Sequence, residues 1–217
     1  MTAQDTYKAI SSYAGVNVST ICDVRARCLQ YTSCTNKSKS EILDFDGAAH
    51  TYQQEMKIST PQSVDAIAVD KTGLLLILIE KKTWENFLNH LKGDDKANPV
   101  DAAMVKIGDY DLKGKYESTR RICEHIMHDD NLFQSLPHVF VFLTEFSDSD
   151  PTAGFATMLT TLAQTSSTVD YAIQQPIVQG MKSHLSSVPC RKSRYLKSRY
   201  LNCMELDSFI NDPSSFE

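Results

Sequence analysis

The sequence predicts an α/β fold in which a mixed central β-sheet is flanked by helices, and three segments carry that prediction. Residues 74–79 are apolar at six consecutive positions, and residues 137–146 contain a second apolar run. Runs of this length are typical of strands that are buried on both faces of a sheet. Between them, residues 112–127 fit a helix. Strands that alternate with helices in this way place the helices on the faces of the sheet.

The elements before the first apolar run are predicted from weaker patterns. The first 45 residues read as helical with interruptions, and residues 41–45 are predicted to be a short helix that ends at Asp46-Gly47. Residues 50–59 are predicted to be a strand. Residues 64–69 are rich in β-branched and small apolar side chains, which favours another strand. Lys71-Thr72-Gly73 has the composition of a turn.

Beyond the first apolar run, helices are predicted at 85–91 and 155–162 and an edge strand at 169–173, while the basic C-terminal stretch fits either a helix or a loop. No linker rich in Gly, Pro or Ser divides the chain. We therefore expect one domain over residues 1–217. It would comprise a core at about 36–175, a helical N-terminal segment at 1–35 and a basic C-terminal segment at 188–217.

Composition limits the class of protein. The chain has 217 residues, of which 41% are apolar and 23% charged, and this excludes a collagen-like or mostly disordered polymer. No stretch reaches the roughly 18–20 apolar residues of a membrane span, and the N-terminus lacks the apolar block of a secretory signal. We therefore expect a soluble, cytoplasmic protein without a membrane partner.

The charge is mildly acidic overall and unevenly distributed. The net charge is −5, from 22 basic and 27 acidic residues, which argues against a protein that coats nucleic acid non-specifically. It does not exclude an enzyme that contacts nucleic acid locally. A cluster of cations near the C-terminus could hold backbone phosphates, with Tyr195 and Tyr200 stacking on bases; its members are Arg191, Lys192, Arg194, Lys197 and Arg199.

The six cysteines leave a structural zinc site open as an alternative. Cys22, Cys28 and Cys34 stand at equal gaps of six residues, but the sequence contains no C-x-x-C pair, which is the spacing typical of a zinc knuckle. We expect reduced, buried thiols. A zinc-stabilised interaction module built on the three N-terminal cysteines would be recognised by its zinc content.

The segment from residue 64 to 82 contains the residues that point to chemistry. If residues 64–70 and 74–82 form a hairpin whose turn centres between Thr72 and Gly73, the numbers of paired residues sum to 145, and Asp65 lies opposite Glu80. Directly paired residues have Cβ atoms roughly 4.5–5.5 Å apart. Lys82 points to the same face as Glu80 because side chains alternate along a strand. Two acids and a lysine would thus converge at the end of a buried strand.

Two carboxylates that lie so close together repel each other unless a cation sits between them. Oxygen ligands of this kind suit a hard ion such as Mg²⁺, which keeps several waters and takes further oxygens from a phosphate substrate. Such an ion polarises the phosphate and acidifies a bound water, and a nearby ammonium stabilises the charge that develops. These groups are the minimum set needed to hydrolyse a phosphodiester.

With Asp65, Glu80-Lys81-Lys82 and the helices that follow, residues 41–145 resemble the PD-(D/E)xK nuclease superfamily, which includes restriction endonucleases. The resemblance implies a restriction-endonuclease-like core and a metal-dependent endonuclease that uses Mg²⁺ or Mn²⁺ on DNA or RNA, in some relatives as a homodimer. By the same resemblance, Asp65 and Glu80 match the metal-binding acids and Lys82 the catalytic lysine, with metal-activated water as the nucleophile. The backbone carbonyl of Lys81 would be a further metal ligand.

Three more residues enter through this resemblance. Glu41 matches the metal-binding acid on the first helix, with Glu55 and Asp44 as competitors for that role. Lys115 and Ser118 fall on the helix that lines the site and binds substrate in many relatives. The chain departs from the family pattern at residue 64, where Val stands in place of the frequent Pro.

Other interpretations of the same residues remain open. Glu80, Lys81 and Lys82 are also compatible with the solvated end of an ordinary strand. A protein of another class, which keeps the nuclease fold only to bind a protein or nucleic-acid partner, would need no metal. A divalent-ion titration separates the two classes.

Overall fold

The computed structural model describes residues 2–24, 38–59, 61–84, 87–88, 98–146, 171–188 and 198–216. Within these ranges six strands form one mixed sheet, in the order β1-β2-β3-β4-β5-β6. The strands are β1 Asn17–Thr20, β2 Glu41–Asp44, β3 Ala66–Val69, β4 Leu76–Lys82, β5 His138–Thr144 and β6 Arg199–Asn202. The helices are α1 Ala3–Ser11, α2 Asp46–Met56, α3 Pro99–Gly108, α4 Leu112–Met127, α5 Leu132–Ser135, α6 Tyr171–Leu185 and α7 Leu206–Asn211, followed by a 3₁₀ helix at Pro213–Phe216.

The direction of the strands changes at the middle of the sheet. Strands β1 to β4 pair antiparallel with one another, whereas β4 pairs parallel with β5 and β5 parallel with β6. Parallel neighbours require a crossover connection, and helices α3 to α5 lie between β4 and β5 in sequence. The predicted α/β class with a mixed sheet is confirmed.

Strand β4 lies between an antiparallel and a parallel neighbour and is covered on both faces. Leu76 and Leu78 belong to one apolar layer, and Ile77 and Ile79 belong to the other. This is the arrangement that the run of apolar residues at 74–79 predicts, because a strand with two buried faces has no polar alternation.

The layer that contains Leu76 and Leu78 is the thicker one. It is built from the apolar sides of α1, α2, α3, α4 and α6, with buried residues such as Ile10, Ile107, Ile122 and Met181. The opposite face of the sheet is covered by Ile21 and neighbouring residues and by α7. None of the helices in the described ranges is long and apolar enough to cross a membrane.

Two predictions in the N-terminal third are wrong. Residues 41–44 form strand β2 instead of a helix, because they pair with β1 on one side and β3 on the other. Residues 50–56, predicted to be part of a strand, belong to helix α2. That helix presents only small buried side chains to the core, Ala48 and Ala49, and a face of alanines gives little periodic signal in a sequence.

The predictions for the remaining elements had mixed outcomes. Strands at 64–69 and 137–146 and the helix at 112–127 are confirmed as β3, β5 and α4. The edge strand predicted at 169–173 is wrong over 171–173, which open helix α6. The N-terminal segment contains strand β1 after helix α1, and part of the basic C-terminal segment forms β6. The helix predicted at 155–162 lies outside the described residues.

Candidate functional site

The hairpin formed by β3 and β4 has the register that the sequence predicts. Ala66 pairs with Ile79 and Ile67 with Leu78. Continued by one residue, this register places Asp65 opposite Glu80, and both side chains are 0% exposed. On its other side, the carbonyl of Asp65 accepts a hydrogen bond from the amide of Phe45 at 3.0 Å. Asp65 is therefore fixed between two strands.

The register is set by the turn at the other end of the hairpin. The carboxylate of Asp70 accepts hydrogen bonds from the amides of Leu74 and Leu75 at 2.9 and 2.7 Å. Gly73 has a φ of 74°, a conformation that favours glycine because it has no Cβ. The turn thus fixes the position at which β4 begins, and with it the residue that faces Asp65.

The backbone of β4 holds the Asp65 carboxylate in place. The amide of Lys81 donates a hydrogen bond to Asp65 Oδ2 at 2.8 Å. The side chain of Lys81 leaves on the opposite face of the sheet, where its Nζ donates to the carbonyls of Ile21 and Val24 at 2.8 and 3.2 Å. Only the main chain of Lys81 therefore faces the acidic residues, which is compatible with the ligand role predicted for its carbonyl.

Glu80 forms a close ion pair with a residue of helix α4. Lys115 Nζ lies 2.6 Å from Glu80 Oε1, and the two side chains are 13% and 0% exposed. Lys115 stands near the start of α4, where Asp111 caps the helix by accepting from the Gly114 amide at 2.8 Å. A pair this buried is held much more strongly than a surface ion pair, because water does not screen it.

Thr119 docks helix α4 onto the start of β3. Its Oγ1 accepts a hydrogen bond from the amide of Val64 at 3.0 Å and donates one to the carbonyl of Lys115 at 2.8 Å. Thr119 is fully buried. A proline at position 64 would have no amide hydrogen to donate, so the valine at this position allows the bond that attaches the helix carrying Lys115.

Lys82 faces the same layer as Glu80 and lies among aromatic rings. Its Nζ is 5.6 Å from the centre of the Trp84 ring and 5.4 Å from that of Tyr110. Lys115 Nζ is 5.5 Å from the same Tyr110 ring, so one aromatic ring contacts both ammonium groups. Distances of this size are typical of cation–π attraction.

Tyr110 is a residue of the site that the sequence analysis missed. It lies between α3 and α4, packs edge-on against Phe142 of β5, and its carbonyl is hydrogen-bonded to His184 of α6. Its one sequence signal is its position just before the cap of the helix that bears Lys115. Thr119 was also missed, although it stands one turn beyond Lys115 on that helix.

Two predicted residues lie apart from this cluster. Glu41 is exposed at the first position of β2, whereas Phe45, just after the end of that strand, is the residue that bonds to Asp65. Four residues along a strand span about 13 Å, so Glu41 is not placed to share a metal ion with Asp65, and that prediction is corrected. Ser118 is half-buried on α4, and none of the contacts that build the cluster involves it.

The acids that competed with Glu41 are engaged elsewhere. Glu55 accepts hydrogen bonds from the Tyr13 hydroxyl at 2.7 Å and lies 2.9 Å from His125 Nε2. These partners, Tyr13 first, lower the pKa of Glu55 below its usual value. Asp44 accepts from the Asp46 amide at 3.2 Å. Neither interaction is directed at Asp65.

Arg199, at the start of β6, lies on the face of the sheet opposite the acidic pair, and its predicted contact with phosphates stays a prediction. It shares a face with Leu201, which packs in the thinner layer, whereas Tyr200 points to the layer that contains Glu80. The Tyr200 ring stacks on Phe142 with centroids 6.2 Å apart, and its hydroxyl donates to the Phe146 carbonyl. Its predicted stacking on a base stays a prediction. Arg191, Lys192, Arg194, Tyr195 and Lys197 lie outside the described residues, and their predicted contact with nucleic acid stays a prediction.

The zinc alternative gains no support from the cysteines that can be placed. Cys22, Cys123 and Cys203 are free thiols, and Cys28 and Cys34 lie outside the described ranges. Over the part of the chain that the structure describes, no three or more His, Cys, Asp or Glu side chains form a group able to hold a metal ion. A cation between Asp65 and Glu80 would therefore depend on two carboxylates, main-chain oxygen, water and substrate.

Comparisons with known proteins add no relative to this description. No family profile, curated protein or solved structure matches the chain. The resemblance to nucleases thus stays a prediction from the residues of this chain.

Proposed function

We propose that the protein is a metal-dependent nuclease that hydrolyses phosphodiester bonds of nucleic acid. The observation that supports this function best is the pairing of Asp65 with Glu80, both fully buried and directly opposite each other, with Lys82 two residues further along the same face. Acidic residues are seldom fully buried unless they are paired or hold a cation. The proposal includes a restriction-endonuclease-like arrangement of the core.

The donor atoms fit a hard divalent cation. Two carboxylates and main-chain oxygen are the ligands that Mg²⁺ and Mn²⁺ prefer, and the remaining positions would be taken by water and phosphate. When bound, such an ion polarises the phosphate and makes water a better nucleophile. Asp65 and Glu80 would hold it, and Asp65 is already oriented by the Lys81 amide.

Lys82 would stabilise the negative charge that develops on the phosphate. Its ammonium is held beside Trp84 and Tyr110, and a group positioned in advance needs little rearrangement when the charge appears. The half-buried environment strengthens its interaction with an anion relative to water. The basic C-terminal segment would add phosphate contacts remote from the reacting group.

The test is cleavage of labelled single- and double-stranded DNA and RNA in Mg²⁺ or Mn²⁺, with EDTA as the metal-free control. We expect products in metal and none in EDTA, and loss of cleavage in Asp65→Asn. Lys113→Ala is the matched control, because Lys113 lies on the same helix as Lys115 and its side chain is 61% exposed. Metal-independent cleavage, or cleavage by Asp65→Asn at the wild-type rate, would exclude this site as its source.

One observation favours a second function. The Lys115 ammonium compensates the charge of Glu80 at 2.6 Å, so the folded protein does not depend on a metal ion to neutralise this residue. This is what a non-catalytic protein would need if it kept the nuclease fold only to bind a protein or nucleic-acid partner. Such a protein would bind its partner equally well in Mg²⁺ and in EDTA and would cleave nothing.

A further inference from the structure

The position of Lys115 raises a question about how a metal ion reaches Glu80. Its ammonium lies 2.6 Å from Glu80 Oε1, and a bound Mg²⁺ would lie about 2.1 Å from a ligating oxygen. Two cations on one carboxylate repel each other, and here water screens the repulsion little, because the side chains of Lys115 and Glu80 are only 13% and 0% exposed. The ammonium and the ion are therefore in competition for the same group.

We propose that Lys115 is the resident counter-ion of Glu80 and that a divalent cation displaces it. This inference rests on the proposed function and adds a role for Lys115 that differs from passive substrate binding. Binding of the ion is an exchange, in which a divalent cation replaces the singly charged ammonium of Lys115 beside Glu80. Without the ion, Lys115 stabilises the folded protein by neutralising Glu80.

Two features of the structure favour the exchange. Lys115 stands near the N-terminus of α4, where the helix dipole disfavours a positive charge, so Glu80 is the main group that keeps the ammonium there. The side chain also has a second favourable position, because its Nζ already lies 5.5 Å from the centre of the Tyr110 ring. Once released, the ammonium would stay beside this ring, on which Lys82 also packs, and both cations would be available to a phosphate oxygen.

The first experiment measures Mg²⁺ binding by calorimetry, without nucleic acid, in wild type, Lys115→Met, Lys115→Arg and Lys113→Met. Removing a competing charge should tighten Mg²⁺ binding by about tenfold or more, since a tenfold change corresponds to only about 1.4 kcal/mol. Lys115→Arg keeps a cation at the site and should bind Mg²⁺ about as weakly as wild type. Lys113→Met should match wild type, because Lys113 lies on the outer side of α4.

A second measurement uses the unaltered protein, in case Lys115→Met fails to fold. Lysine side chains are labelled with ¹³C at Cε, and the Lys115 signal is assigned by its absence from Lys115→Arg. Titration with Mg²⁺ should move this signal in proportion to the heat of binding, while the Lys113 signal stays in place.

The outcomes separate the inference from the function on which it rests. If wild type binds Mg²⁺ but Lys115→Met binds it no tighter and the Lys115 signal does not move, Lys115 keeps its contact with Glu80 and the exchange is overturned. The nuclease proposal would survive that result. If neither protein binds Mg²⁺ or Mn²⁺ at millimolar concentrations, the nuclease proposal and the exchange both fall.

Discussion

Thr119 of α4 accepts a hydrogen bond from the main-chain amide of Val64, the residue that precedes Asp65. This bond joins helix α4, which supplies Lys115, to the residue just before Asp65, at the start of strand β3. Thr119→Val keeps the shape of the side chain but leaves the buried amide without its acceptor. We expect the free energy of unfolding to fall by about 1–3 kcal/mol, the cost of an unsatisfied buried donor. Urea denaturation measures this free energy of unfolding. Thr119→Ser keeps the hydroxyl and should therefore lose less stability than Thr119→Val. Equal stability of Thr119→Val and wild type would show that the bond contributes little.

The role of Lys82 is tested by its effect on turnover. If its ammonium stabilises the developing charge, Lys82→Ala should lower kcat by roughly 10²–10³-fold, as the loss of one preorganised donor typically does. Substrate affinity should change much less. Single-turnover cleavage in Mg²⁺, together with a binding assay in Ca²⁺, separates the two effects. Cleavage by Lys82→Ala near the wild-type rate would remove the lysine from the mechanism.

Glu80→Gln separates a metal site from a structural ion pair. The amide is nearly the same size as the carboxylate but has no charge, so the bond to Lys115 weakens. In EDTA we expect a lower melting temperature, corresponding to about 1.5–3 kcal/mol for a hydrogen bond between charged groups. Mg²⁺ should raise the melting temperature of wild type by mass action but not that of Glu80→Gln. If millimolar Mg²⁺ and Mn²⁺ leave the wild-type melting temperature unchanged, the purely structural interpretation of the pair is favoured.

His138, at the start of β5, predicts a dependence of stability on pH. Burial lowers the pKa of this histidine below its usual value. Its Nδ1–H donates to the Leu136 carbonyl, and its Nε2 accepts from the Tyr116 hydroxyl. The unfolded chain therefore binds a proton more readily than the folded one. The stability due to the neutral ring is complete above about pH 6.5 and is lost as the pH falls below that value, by up to about 1.4 kcal/mol per pH unit.

The measurement for His138 is the free energy of unfolding in urea between pH 7.5 and 5. His138→Gln should lose less stability over this range than wild type. His50→Gln is the control, because His50 is exposed on α2 and its replacement should leave the slope unchanged. Parallel curves for wild type and His138→Gln would show that another group causes the acid sensitivity.

The sequence predicts the centre of this fold better than its edges, for a physical reason. Strand β4 and helix α4 have patterns that burial imposes over many residues, and the pairing of Asp65 with Glu80 follows from a turn with few alternatives. Part of helix α2 was predicted to be a strand. The buried face of this helix consists of Ala48 and Ala49, and such small side chains give no periodic contrast in the sequence.

Contacts between distant segments were beyond what the sequence could predict. Lys115 and Glu80 are 35 positions apart, and their ion pair depends on how α4 packs across the sheet. The docking bond from Val64 to Thr119 spans 55 positions. The resemblance to nucleases made Lys115 a candidate for substrate binding, but only the packed structure shows that it is bonded to Glu80.

The turn at residues 70–73 limits how the hairpin can change in length. Loops usually tolerate insertions and deletions, but here one residue more or less would bring a neighbour of Glu80 opposite Asp65 and turn the acid toward the other face of the sheet. A change of two residues would restore the face but set Asp65 against Lys82 or Leu78. We therefore expect variants of this chain that keep the acidic pair to differ in the composition of the turn but not in its number of residues. The residue at position 73 must still tolerate a positive φ.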